Sequence, residues 1–195
     1  MRFKLILLFL LPIIVSSQQT IGVFLNNPES YDGLTLFNPL GSSTTYLIDN
    51  CGNKVYEWNS EYAPAASVYL MENGNLLRTN RLDSTNIVFG GSAGGIEILD
   101  PESNVLWNYE MNSDSLVSHH DIELLPNGNI LAIIAEHKSL QETINNGSNI
   151  NDSRYAEKII EINPSTNQII WEWDSWDHLV QDFDSTLLNY GDIQS

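Results

Sequence analysis

Apolar and polar positions alternate with a period of two over much of the chain, and turn residues punctuate them at regular intervals. Three segments read alike. The first runs from Tyr46 to Trp58, the second from Ile96 to Tyr109 with Trp107 near its end, and the third from Ile159 to Trp173. Each is a β-rich run, a turn of Asp, Asn, Pro, Gly or Ser, and a second β-rich run closing on tryptophan, which predicts a hairpin. A second shared element follows the first two hairpins. It is strand, Asn-Gly turn, strand, with the turns at Asn73-Gly74 and Asn127-Gly128. Asn-Gly supplies the positive φ values of a type I′ turn.

One hairpin of each kind makes a four-stranded unit that recurs at roughly 50 residues, and four strands per roughly 40–50 residues is the β-propeller pattern. The predicted fold class is all-β, a β-propeller, with Trp58, Trp107, Trp171 and Trp173 as wedges between blades. The polar stretch 137–157 is predicted to be a long loop. About two to three blades are accounted for, whereas closed propellers have typically four to eight. The expectation is an N-terminal part of a longer protein, with a short chain that closes its ring by oligomerising as the rival. Open blade edges would make such a piece inactive and prone to aggregate.

The first residues read as an address. Arg2 and Lys4 precede an apolar run from Leu5 to Val15 that contains Pro12, and Ser16 and Ser17 follow. This is the layout of a secretory signal peptide over residues 1–17, too short for a comfortable membrane span. Residues 18–195 then form the propeller part of an exported protein, periplasmic or secreted. Asn146-Gly-Ser148 and Asn151-Asp-Ser153 match the glycosylation acceptor pattern.

Charge narrows the function. The 195 residues carry 8 Lys+Arg against 25 Asp+Glu, a net charge of −17, which repels phosphate backbones and excludes nucleic-acid binding as a main role. With one cysteine, Cys51, the chain forms no internal disulfide and no cysteine-based zinc site. There is no P-loop, since the run at residues 92–95 lacks the required Lys and Ser/Thr. No cofactor and no metal site is expected.

The chemistry concentrates in four histidines. Aligning the two Asn-Gly turns sets Ala65, Ala66 and Ser67 of the first unit opposite His119, His120 and Asp121 of the second. The scaffold accepts small residues there, and the second unit places two imidazoles and a carboxylate at the same spot. Strand alternation predicts that His119 and His120 point to opposite faces. His178 is expected to pair with Asp177 or Asp182, and His137 to be solvated at the end of its strand. His119, His120, Asp121, Asp177 and His178 have ligand atoms but no diagnostic metal spacing.

The run Ser118-His-His-Asp-Ile-Glu-Leu-Leu-Pro-Asn-Gly-Asn-Ile-Leu131, the third hairpin, and Trp176-Asp-His-Leu-Val-Gln-Asp-Phe-Asp184 together resemble the arylsulfotransferase (aryl-sulfate sulfotransferase) family. The resemblance covers most of the chain after about residue 30. It implies a six-bladed propeller, exported and often dimeric. It also implies transfer of a sulfuryl group from a phenolic sulfate ester to another phenol, by a ping-pong route through a sulfated histidine. His120, with His119 as the second choice, matches a family active-site histidine that binds or polarises sulfate. The nucleophilic histidine is expected beyond Ser195. Such chemistry needs a nucleophile, a cationic or hydrogen-bonding cradle and an acid for the phenolate, all within the range of histidine. Two other readings stand beside it: a non-catalytic propeller that binds a partner or glycan, and a quinoprotein-like dehydrogenase.

Overall fold

In a computed structural model of the chain, residues 25–82, 91, 93–148, 152–181, 184–187 and 189–191 are described. The expected leader at 1–17 and the acceptor Asn151 lie outside them. The architecture is all-β, as expected, with three antiparallel sheets and no closed barrel. The first sheet holds β1 (Thr35–Phe37), β2 (Thr44–Ile48) and β3 (Lys54–Asn59). The second holds β4 (Pro64–Leu70), β5 (Leu76–Arg81), β6 (Gly94–Leu99) and β7 (Val105–Glu110). The third holds β8 (Leu116–Leu124), β9 (Ile130–Lys138), β10 (Arg154–Asn163) and β11 (Gln168–Asp174). Each runs as a meander, with sequential strands paired.

The hairpins group in the opposite phase from the sequence reading. The Asn-Gly hairpin opens a sheet, and the tryptophan-closed hairpin after it completes that sheet. The cause is burial. Five successive residues of β5, Leu76 to Asn80, are buried, so β5 must be covered on both faces and paired on both edges. The turns also differ from expectation. Gly74 and Gly128 have φ of 85° and 83°, but neither preceding asparagine has positive φ, so the turns are not type I′. Gly74 donates to the Met71 carbonyl and Gly128 to that of Leu125, which is the longer loop with one left-handed glycine.

Two apolar layers hold the sheets together. Leu77, Ile96 and Ile98 of the second sheet pack with Ile122, Ile130, Ile134, Ile160 and Ile162 of the third. Leu76 and Leu99 pack with Leu47 and Trp58 on the other side. That second layer also contains an ion pair the sequence reading missed. Arg78 and Glu97 are both fully buried, with Arg78 Nε 3.1 Å from Glu97 Oε1. Arg78 also donates to the Ser43 and Tyr62 carbonyls and to Thr45 Oγ1, so its guanidinium ties β5 to the first sheet. Burial pushes the Glu97 carboxyl up and the Arg78 guanidinium down, and each partly restores the other.

The tryptophans are treated unequally. Trp58 is 2% exposed, and beside it Tyr56 donates to the Pro101 carbonyl of the next sheet. Trp107 is half-buried and donates from Nε1 to Asn167 Oδ1, again in the next sheet. Trp171 and Trp173 on β11 are 49% and 38% exposed, so they are not wedges among the described residues. The expected loop at 137–157 is largely ordered: β9 and β10 extend into it, and α1 (Leu140–Asn145) lies between them. Ser139 and Glu142 form a capping box that nucleates this short helix, a local signal stronger than the weak periodicity. No helix among the described residues is long and apolar enough to cross a membrane.

Candidate functional site

The site begins with a defect in strand pairing. On β8, Ser118 pairs with Ile134 and Ile122 with Ala132, so three residues of β8 face a single residue of β9. His119, His120 and Asp121 are those residues. The same defect occurs on β4, where Pro64 pairs with Asn80 and Val68 with Arg78 around Ala65, Ala66 and Ser67. The correspondence read from the two Asn-Gly turns is thus present in space. Alternation fails inside a bulge, which corrects the expectation that the two imidazoles diverge. Nδ1 of His119 meets Nδ1 of His120, and the ring centroids are 4.3 Å apart.

The two bulges face one another. Ser67 donates its hydroxyl to Asp121 Oδ1 at 2.8 Å, and Tyr69 donates to Glu123 Oε2 at 3.3 Å. Thr79 Oγ1 lies within hydrogen-bond reach of the carbonyls of both Ser67 and His120. Ser118 is fixed from the other side: its carbonyl accepts from Ala93 and its hydroxyl from Gly94. Gly91, with φ of 91°, closes the pair. A Cβ there would meet His120 Nδ1 at 2.5 Å and His119 Cε1 at 3.0 Å, so only glycine leaves room for both rings.

His119 is half-buried and His120 exposed. Burial and the neighbouring His120 charge hold the His119 imidazole below its ordinary range, against the pull of Glu157 and Asp121. Glu157 reaches across from β10, its Oε1 4.0 Å from His119 Nε2. The arrangement offers one largely neutral and one accessible imidazole on a rigid bulge, able to donate to or exchange a proton with an anionic ligand.

The other two histidines lie elsewhere. His178 ends a 3₁₀ turn, Ser175–His178, and its exposed ring stacks on Trp173 at 4.9 Å and 9°. Asp182 lies outside the described residues. His137 is half-buried and packs against Tyr155 at 5.4 Å, not simply solvated. His119, His120, Asp121, Asp177 and His178 are not drawn together. No group of three or more potential ligands among the described residues could hold a metal ion. Sequence reasoning missed Gly91 and Glu157. Gly91 stands immediately before the run at residues 92–95, which the sequence offers only as a phosphate-loop candidate.

Comparison with known proteins gives the chain a family. No curated protein matches it. Among solved structures it is similar to a protein of unknown function from Bacteroides caccae, with 14% identity and a TM-score of 0.46. That match covers 74% of this chain and 41% of the other, so the chain spans less than half the length of the structure it resembles. The arylsulfotransferase (ASST) family model matches residues 23–194. With nearly the whole chain after its first residues inside that match, the chain belongs to the arylsulfotransferase family.

Proposed function

We propose that this chain contributes the sulfate-holding wall of an exported aryl-sulfate sulfotransferase, which moves a sulfuryl group between phenols through a sulfated histidine. The observation that carries the reading is the imidazole pair on the β8 bulge, facing the β4 bulge across the Ser67–Asp121 hydrogen bond. His120 is the sulfate-binding or polarising group, and His119 supports it from the partly buried side. The three sheets are blades of a propeller. The adjacency of β4 and β8 supports this, because first strands of consecutive blades line a common axis. The exposed faces of Trp171 and Trp173 support a further blade over β11, in the place that the second and third sheets take over Trp58 and Trp107.

The chemistry fits the charge. A chain of net charge −17 repels a sulfate ester at long range, so local donors must hold it. Two imidazoles sharing one bulge provide such donors, and rigid placement lets them act on charge as it develops. The attacking histidine lies outside this chain in the reading, which leaves the described residues to bind and orient. Export by the leader at 1–17 and homodimer formation belong to the same proposal.

The test is transfer from p-nitrophenyl sulfate to phenol by the protein with its further blades. His120→Ala should slow p-nitrophenol release about 100-fold or more, the scale of losing a donor to the transition state, while His137→Ala leaves it within threefold. Equal effects, or no release with any phenol, would overturn the reading.

A further inference from the structure

The β9–β10 connection and the segment after β11 enclose a cleft of about 510 Å³, within the usual range of ligand pockets. Its walls include Tyr155, Trp176, Leu179 and Val180, with Arg154 and Glu157 at polar positions. The walls are pinned rather than loose. Asp174 accepts from the Trp176 amide, and Lys138 Nζ lies 5.5 Å from the Trp176 ring centroid. Lys138 and Lys158 both pair with Glu136 and Asp174, a four-charge network beneath the 3₁₀ turn. On the opposite wall, Asn189 donates to the Asn146 carbonyl. The close approach of Gln181 to Gly147, where a Cβ would stand 2.6 Å from Gln181 Cγ, fixes the spacing between the walls.

Glu157 belongs to both places. It lines the cleft, and its carboxylate is 4.0 Å from His119 Nε2. It pairs with Ala135, which pairs with Val117, so it stands level with the start of the β8 bulge. The residue between them is the small Ala135, which packs against Val117. A second hollow, at Met71 to Asn73 and Leu124 to Gly128, lies at the far end of β8 and shares no residue with the histidines.

We infer that this cleft is the ring-binding half of the site, taking the neutral aromatic part of a phenol or its ester while the histidine pair takes the sulfate. The inference rests on the function proposed above. Trp176 and Tyr155 give aromatic surfaces for edge or offset stacking, and Leu179 and Val180 give apolar area. Glu157 marks the boundary between the two halves, lining the cleft and standing 4.0 Å from His119 Nε2.

Equilibrium binding of three probes to the full chain tests this: inorganic sulfate, 4-nitrophenol and 4-nitrophenyl sulfate. Trp176→Leu and the exposed-position variant Val180→Glu should each weaken 4-nitrophenol tenfold or more and leave sulfate within twofold. His120→Ala should do the reverse, and 4-nitrophenyl sulfate should be weakened by all three. If 4-nitrophenol binds both cleft variants as it binds the parent chain, or binds none of them, the inference fails. If His120→Ala leaves sulfate unchanged while the cleft variants lose 4-nitrophenol, the cleft stands and the histidine reading falls.

Discussion

The β4 and β8 bulges are the same backbone device carrying different cargo. Each inserts extra residues in the first strand of its sheet and each follows an inter-sheet connection. Ala65, Ala66 and Ser67 occupy the first, and Ala66 takes φ of 143° there. His119, His120 and Asp121 occupy the second. Beneath them the contrast inverts. Val68 pairs with Arg78 after the first bulge, whereas Ile122 pairs with Ala132 after the second. The second sheet thus keeps its charge in the buried layer, where it binds two sheets together. The third has alanine at the matching place and carries two imidazoles and a carboxylate on its bulge, where His120 is exposed. One scaffold position can serve cohesion or chemistry, and the side chains decide which.

The largest effect should come from the buried half of this contrast. Arg78→Ala leaves Glu97 without its partner in a dry layer, and removing one member of a buried pair costs about 3–5 kcal/mol. Chemical denaturation should show it, while Arg78→Met together with Glu97→Leu should recover most of the loss. Equal stability of Arg78→Ala and the parent chain would remove the claim that this pair pins the first sheet.

Gly91→Ala comes next. Alanine at a positive φ and a Cβ against both imidazoles should cost about 1–3 kcal/mol. It should also shift the ring resonances of both histidines, and unchanged resonances would detach Gly91 from the site. Ser67→Ala removes the Ser67–Asp121 hydrogen bond between the two bulges, an exposed contact worth about 0.5–1.5 kcal/mol at most. Its informative readout is the His120 environment rather than melting.

The smallest effect is in pH. Because the folded His119 imidazole sits below its ordinary value near 6.5, the unfolded chain takes up that proton more readily. Its contribution to stability is therefore present above that range and is lost as pH falls through it. His119→Ala, which copies the first bulge, should flatten the slope of stability between about pH 5 and 7. An unchanged slope would show that His119 is not the group responsible.

The fold was largely legible because hairpins are local. Trp-closed runs and Asn-Gly turns mark their own ends, and all five predicted hairpins formed. What failed needed long-range information. The grouping of hairpins into sheets depends on the burial of β5 from both faces, which no two-residue alternation reveals. The site was half legible. Comparing the repeats located His119 to Asp121, but alternation gave the wrong orientation, because a bulge has no sequence signature stronger than its pairing partner. Arg78 and Glu97 read as ordinary strand charges, and their burial exists only when two sheets stack. Glu157 meets His119 across two strands, a contact invisible along the chain.

The central claim is that the histidine-bearing bulge is a site for the sulfate group and the matching small-residue bulge is not. Writing the first bulge into the second, with His119→Ala, His120→Ala and Asp121→Ser together, tests it most directly by sulfate titration followed through imidazole and backbone resonances. The account predicts saturable shifts centred on His120 in the parent chain, an intact β spectrum in the triple variant, and loss of sulfate binding by tenfold or more. Equal sulfate affinity in the two proteins would contradict it.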